Sequence, residues 1–541
     1  MKTLLYQWVK TNSVILVNAG SLVGTTAVTS VLGFAYWWLA AREVPPEVVG
    51  IASASVSAMV LLGSFCVLGL GTLLITELPR QPGQAASLIN TALIVVGGVG
   101  VSTGVTFAVV APYVSADFQV LRASVADIVI FASGVSLTAI TLVLDQALIG
   151  LLWGGLQLWR NTLFAVVKLA ALLVVGLLLS YKAGITIYAT WAFGNVLSLA
   201  MLAAFVVFKK GWPGRNYLPQ WRLLRKLGPA ALQHHLLNLT LQAPTLALPV
   251  LVTALLSARA NAWFYVSWMI ASFVFIVSYA LTAVLHAMNS AQQSTLTQKA
   301  RVTIGLALVT SVLVNCILLF DTKQILGLFG STYAEQAAWT LRILALGAFP
   351  LIIKNHYISI CRIQDRIAQA MLSMAPGGLL ELCAAALGGF LGGLSGLSLG
   401  WVLAICVESM FMFRTVYKVV RFTGAYSQMP TSQGHVRIEA IWLRETSRLP
   451  AIGHMGIEPI WLMETSVLPV IKQSYQESEG CTLQDKNNRQ ESRSRLRLKP
   501  PRLQPYPLYD DDLPITDKYV TGQILNRRQA DKTIVEDRAM L

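Results

Sequence analysis

The sequence predicts an all-α membrane protein: twelve transmembrane helices in two six-helix bundles, followed by a largely disordered C-terminal tail. Three observations predict it. Twelve long apolar stretches fill Ser13 to Val420, one basic loop (Lys209-Lys210-Gly211-Trp212-Pro213-Gly214-Arg215 through Lys226) divides them six and six, and from Arg421 the stretches stop. The bundles are expected at 1–208 and 228–420, with a basic linker at 209–227 and a tail at 421–541. Hydrophobic residues make up 55% of the chain and charged ones 12%, a balance foreign to soluble domains.

A bilayer core about 30 Å thick takes roughly 20 apolar residues as a helix, because lipid offers backbone amides no partner. On that length the spans fall near 13–41, 48–76, 85–111, 121–150, 158–180, 184–208, 228–256, 261–289, 300–320, 339–361, 367–391 and 394–420. Span 1 follows Lys2 and Lys10 but is too long for a signal-peptide core, so it is read as a retained helix. Asn18, Ser21, Thr25 and Thr29 recur in it at spacings of three and four, on one helix face. Span 2 carries Ser53, Ser57 and Ser64 on one face, while Gly20 with Gly24, and Gly100 with Gly104 in span 3, have the spacing of close helix packing. Asp145 near the end of span 4 and Lys168 in span 5 lie at similar depth on antiparallel neighbours and are expected to pair. Trp37, Trp38, Trp191 and Trp263, near span ends, read as interfacial anchors.

Span 7 repeats the pattern of span 1. His234, Asn238, Gln242 and Thr245 share a face, and Pro244 and Pro249 bend the helix and free carbonyls. A lone Ser or Thr in a span ordinarily bonds its own backbone. Matching stripes at the head of both halves point further, and spans 1 and 7 are read as facing a shared wet cavity between the halves. Span 8 adds Asn261, Tyr265, Trp268 and Ser272, a set suited to stacking on sugar rings. Lys354 in span 10 and Glu408 in span 12 lie at similar depth and either pair or face the cavity. Glu381 in span 11 has no partner evident in the sequence; a proton site, a carboxyl kept neutral by burial and a packing carboxyl are all open. For His234, His235, His286 and His356 the readings are polar lining or core packing, and Gly388, Gly392 and Gly396 mark helix contact.

The net charge of +15 is a topology signal and makes no case for nucleic acid, since the tail mixes both signs. With an inside N-terminus, the cytoplasmic segments hold Lys2, Lys10, Arg80, Arg160, the basic loop, Lys299, Arg301, Arg362, Arg366 and Lys418. The outer loops hold Arg42, Arg122, Lys182, Arg259, Lys323 and Arg342. The expected protein is multi-pass in the cell membrane with both termini cytoplasmic. Arg42, with Glu43 and Glu47, sits at the outer mouth, where it either meets a phosphate or anchors the interface. Cys66, Cys316, Cys361, Cys383 and Cys406 fall in spans and Cys481 in the tail, without disulfide or metal-ligand spacing. No cofactor, metal ligand or catalytic residue is expected. An ATP-driven pump is disfavoured by the lack of a phosphate-cradling loop, and a membrane glycosyltransferase or polymerase by the short outer loops.

Ala41-Arg42-Glu43-Val44-Pro45-Pro46-Glu47-Val48-Val49-Gly50, with Leu68-Gly69-Leu70-Gly71 and Glu77-Leu78-Pro79-Arg80, resembles bacterial lipopolysaccharide and polysaccharide biosynthesis proteins of the oligosaccharide-flippase group. So do Leu144-Asp145-Gln146-Ala147-Leu148-Ile149-Gly150 with Leu158-Trp159-Arg160-Asn161 and Lys168, Trp263-Phe264-Tyr265-Val266-Ser267-Trp268, and Tyr357-Ile358-Ser359-Ile360-Cys361-Arg362. The resemblance covers roughly residues 10 to 420. It implies the MATE-like flippase superfamily, whose two bundles form a V around a central cavity, and transfer of a polyprenyl-pyrophosphate-linked oligosaccharide from inner to outer leaflet by alternating access. The implied partners are that lipid-linked glycan and membrane lipid. Cation-coupled multidrug exporters of the superfamily, the alternative, commonly carry an acidic residue in helix 1, and residues 13–41 contain none. Peptidoglycan-precursor flippases line the cavity with arginines, whereas here Arg42 at the rim is the comparable one.

The tail holds a duplication of period 19, in which Ile438 to Ile452 matches Ile457 to Ile471. It is either a paired motif for a cytoplasmic partner or a duplication without function. The remaining tail is charged, proline-bearing and poor in core residues, so disorder is expected.

Overall fold

The computed structural model describes residues 13–178, 184–210, 218–219, 221–289, 296–364 and 366–421. Among these there is no strand. The chain divides into two units, Met1–Ser474 and Tyr475–Leu541, and every described residue belongs to the first. Lys2, Lys10, Lys182, Arg215, Cys481 and the duplication at 438–452 and 457–471 lie outside the described residues, as do the side chains of Lys209, Lys210, Arg222, Arg225, Lys226 and His234.

The first half comprises α1 (Ser13–Glu43), α2 (Pro46–Cys66), α3 (Leu70–Glu77), α4 (Ala85–Val114), α5 (Val125–Gly150), α6 (Gly154–Leu178) and α7 (Gly184–Phe205). The second comprises α8 (Trp221–Leu255), α9 (Ala258–Asn289), α10 (Leu296–Gly327), α11 (Ser331–Gln336), α12 (Ala338–Leu346), α13 (Ala348–Ile363) and a run Ile367–Arg421. That run breaks at Gly392 and Gly393, where Gly393 has φ +58°, into α14 (367–391) and α15 (394–421). Gly388 meets the carbonyl of Gly396 and Gly400 that of Ala384, pairings that run in opposite directions and make the arms an antiparallel hairpin. Among the described residues eleven helices are long and apolar enough to cross a membrane; the last, 54 residues, is more than two crossings need and supplies two arms. The described residues thus hold twelve helical arms of membrane-crossing length.

Two spans read as continuous are broken. Span 2 divides at Leu68 (φ +51°) and Gly69 (φ +77°) into α2 and α3, and span 10 divides at Gly347 into α12 and α13. Hydropathy sees neither break, because apolar residues continue through both. Pro45 and Pro46 set the start of α2, where a missing amide hydrogen costs the helix nothing.

The largest apolar cluster runs across both halves, joining Tyr36, Trp37, Phe131, Tyr188 and Trp191 to Phe264, Tyr265, Trp268 and Trp401. Trp37 and Trp191, read as interfacial anchors, are therefore core residues, with ring centroids 6.4 Å apart. Their indoles find neighbouring rings inside the bundle, which a position near a helix end does not reveal. Gly100 and Gly104 do mark close packing: a Cβ on either would lie 2.6 Å from the Cα of Ser136 or Ala132. Gly20 and Gly24 do not, since nothing lies within 4 Å of a Cβ at Gly20 and only the Leu158 methyls approach Gly24. Val101, Val105, Leu308, Val309 and Leu313 on α4 and α10 form exposed apolar surface of the kind lipid covers.

Candidate functional site

The seam between the halves is built mainly from α2 against α8 and α9. Gly50 abuts the backbone carbonyl of Ala258 so closely that a Cβ would overlap it. One turn on, Asn261 Nδ2 donates to Gly50 O (2.8 Å) and Ser53 Oγ (3.0 Å). Asp117 Oδ2 accepts from the amide of Ala258 (2.7 Å), placing a carboxylate at the positive end of α9. Glu47 pairs with Arg259 across the same seam. Arg42 Nε and Trp38 Nε1 both donate to the carbonyl of Leu328, at 2.8 and 2.9 Å. These contacts gather at the end that the charge asymmetry assigns to the outside, and they clamp the halves together there. Arg42 thus bonds a backbone carbonyl of the opposite half. Gly50, Asp117, Arg259 and the Leu328 carbonyl were missed from the sequence, where each looks like an ordinary loop or helix-start residue.

The two polar stripes differ. Asn18, Ser21, Thr25 and Thr29 are all buried, on the face of α1 that packs along α6. The hydroxyls of Thr25 and Thr29 donate to carbonyls one turn back, at 2.7 and 2.8 Å, and Asn18 Oδ1 accepts from Gly154 N (2.7 Å) at the start of α6. In this conformation the α1 stripe is buried against α6: once its own backbone takes the hydroxyl proton, a threonine packs as a small apolar residue would. Asn18 caps a helix from outside it, so Asn18→Leu is expected to cost about 0.5–2 kcal/mol, read as a lower melting temperature of the purified protein.

On α8, Asn238, Gln242 and Thr245 are half-buried, and the Thr245 hydroxyl donates to Gln242 O (2.9 Å). Ser53 and Ser57 on α2 are buried, Ser53 held by Asn261 and the Ser57 hydroxyl without a hydrogen-bond partner. Tyr265 and Trp268 are buried in the aromatic cluster, with Tyr265 4.7 Å from Trp37 across the halves and Trp268 4.7 Å from Trp401. The structure thus brings Ser53, Tyr265 and Trp268 to or beside the seam, leaves the α8 residues partly accessible and turns the α1 stripe inward.

Two charge centres occupy the span interiors. Asp145 receives a bidentate grip from Arg160, Nε to Oδ1 at 3.1 Å and Nη2 to Oδ2 at 2.8 Å, and Asn161 Nδ2 adds a bond at 3.2 Å. Arg160, counted among the cytoplasmic charges, is only 2% exposed. Lys168 sets its ammonium 3.7 Å from the centre of the Trp191 ring and 4.4 Å from that of Phe164. In the second half, Lys354 Nζ lies 2.5 Å from Glu381 Oε1 and 2.7 Å from Glu408 Oε2, and Trp401 Nε1 donates to Glu381 Oε2 at 2.8 Å. Lys354 and Glu408 do pair, and Glu381 completes a triad.

The halves place these groups in matching register. Lys168 follows the start of α6 at Gly154 by as many residues as Glu381 follows that of α14 at Ile367, and Trp191 stands in α7 where Trp401 stands in α15. One position thus holds opposite charges in the two halves, each beside the equivalent tryptophan. That register was the available signal for Trp401, which sequence reading passed over. No group of three or more His, Cys, Asp or Glu among the described residues is placed to hold a metal ion.

No family model matches the chain, and no curated protein matches it in sequence. Among solved structures, the fold is similar to an inward-facing conformation of a multidrug resistance MATE family transporter of the MOP superfamily, with a TM-score of 0.57 at 14% identity, covering 74% of this chain and 98% of that one. A MATE structure in complex with MaL6 gives 0.51 at 13% identity, over 76% and 97%. The chain has the MATE transporter fold.

Proposed function

We propose that this chain is a membrane transporter that moves a polyprenyl-pyrophosphate-linked oligosaccharide from the inner to the outer leaflet by alternating access of two six-helix bundles, for surface polysaccharide biosynthesis. The observation that carries the reading is the uncharged polar face of α8. Asn238, Gln242 and Thr245 are half-buried on the helix that packs along α2 across the seam, and a glycan is recognised by hydrogen bonds and ring stacking more than by charge. The twelve-pass fold and the resemblance to oligosaccharide flippases agree with it. Flipping breaks no covalent bond, so no catalytic residue is assigned. The outer clamp has the form expected of a chain closed at that end, and transport would require it to part.

A strain lacking the gene, with no second flippase, is expected to accumulate lipid-linked oligosaccharide on the cytoplasmic face and to lose surface glycan; full surface glycan would overturn the reading. Asn238→Leu with Gln242→Leu is expected to lower export about tenfold or more, the effect of losing two hydrogen bonds of roughly 1 kcal/mol each, with the protein still present in the membrane by immunoblot. A second reading, a cation-coupled drug exporter, is favoured by the MATE likeness and opposed by the lack of any acidic residue in α1 before Glu43. Efflux of a cationic dye that depends on this chain, with normal glycan, would select it.

A further inference from the structure

We infer that the Lys354, Glu381 and Glu408 triad is a binding site for one exchangeable proton. The inference rests on the reading that this helical unit lies in a membrane. Lys354, Glu381 and Glu408 are 8%, 2% and 4% exposed, and they bring two carboxylates to one ammonium. With both carboxyls ionised the buried site carries one net negative charge, a costly state away from bulk water. A proton on one carboxyl, with Lys354 kept as ammonium, makes the site neutral without rearranging a helix.

The two carboxyls are not equivalent. Glu381 is fully engaged, by Lys354 on Oε1 and by the Trp401 indole on Oε2. On Glu408, Lys354 Nζ lies 2.7 Å from Oε2, whereas the buried Oε1 has no hydrogen-bond donor among the described residues. A buried carboxylate oxygen without a donor is an expensive group, and protonation relieves it. Glu408 is therefore the carboxyl that takes the proton.

Among the described residues, several charged or titratable groups on the surrounding helices have partners of their own. His356 bonds Ile352 O and Thr303 Oγ1, Tyr357 bonds Ser373, and Arg342 reaches Thr322. His286 lies beside Arg362, which also faces Tyr279; His235 lies against the backbone of Ser64 and Phe65; and Arg301 bonds the carbonyl of Val420.

The site is joined to the seam through two adjacent glycines. A Cβ on Gly377 would lie 2.6 Å from the carboxyl carbon of Glu408, and one on Gly378 would lie 2.8 Å from Pro244 Cγ and 3.4 Å from the carbonyl of Thr240. Pro244 has no amide hydrogen for that carbonyl four residues back, so α8 lacks a backbone bond at this point. Movement of the Glu408 carboxyl on taking up or losing a proton is thus felt through α14 at this part of the helix that carries Asn238 and Gln242.

The test is infrared difference spectroscopy on the full-length protein in phosphatidylcholine vesicles, stepping the pH downward without sodium and then adding sodium at constant pH. The expected result is one carboxylic acid carbonyl stretch that appears on acidification, is lost in Glu408→Gln, and does not respond to sodium. The same stretch persisting in both Glu408→Gln and Glu381→Gln would overturn the inference, as would its absence from the unmodified protein. A carboxylate change driven by sodium at constant pH would assign the site to a metal cation instead. If Glu408→Gln fails to fold, Lys354→Met decides: with the ammonium gone the stretch should already be present before the acid step, and its absence there overturns the proposal. No glycan enters this measurement, so a chain that shows the stretch yet leaves surface glycan untouched when deleted keeps the proton site and loses only the flippase reading.

Discussion

Arg160→Met is expected to destabilise the protein by about 3–5 kcal/mol, the cost of leaving one member of a buried ion pair without its partner. Asp145 and Arg160 are each 2% exposed, and the guanidinium supplies two parallel bonds to the carboxylate. The Asn161 amide gives one longer bond of 3.2 Å in place of that pair. The double variant Asp145→Leu with Arg160→Met removes both charges and should recover most of the loss, because apolar residues of similar volume fill such sites at little or no net cost. Melting temperatures of the four proteins in one detergent complete the cycle. A single variant as stable as the parent would mean that water or lipid headgroups reach Asp145.

Gly50→Leu is expected to open the seam at the end where α2 meets the start of α9. Glycine is needed there because the backbone of α2 meets the Ala258 carbonyl with no room for a β-carbon. Overpacking of about 1–3 kcal/mol shifts a two-state equilibrium by roughly 5- to 150-fold, here away from the clamped arrangement. The bonds from Asn261 to Gly50 O and Ser53 would be lost together with the contact. The measurement is labelling of a Ser53→Cys reporter by a membrane-impermeant maleimide. The reporter thiol should be protected with glycine at position 50 and labelled with leucine there, and equal protection in both would show that α2 and α9 do not bear on each other in the working protein.

How much could be read from the chain varies from feature to feature. The span count came out because hydrophobic length is a local property: a 54-residue apolar run must turn back, and Gly392 and Gly393 are where it does. The breaks at Leu68 and Gly347 escaped because the apolar pattern does not change across them. The polar stripe of α1 was visible, but its direction was not, since periodicity gives a face and says nothing of what the face meets. Depth arithmetic set Lys354 and Glu408 at one level, with pairing as one of two readings, and the structure pairs them. The arithmetic did not bring in Glu381, whose access to the same ammonium depends on how α14 is rotated about its axis. Arg160 reads as a loop charge from its place near a span end, and only the fold of α6 against α5 buries it.

By itself, then, the sequence determined the twelve passes, their lengths and the placing of rare charges within them, because each membrane helix satisfies its own amides and needs no distant residue to do so. The tertiary structure alone decided which polar groups meet. Gly50 and Asn261 are 211 residues apart in the chain and Tyr36 and Thr190 are 154 apart, and their contacts are set by helix rotation and packing, which no local pattern encodes.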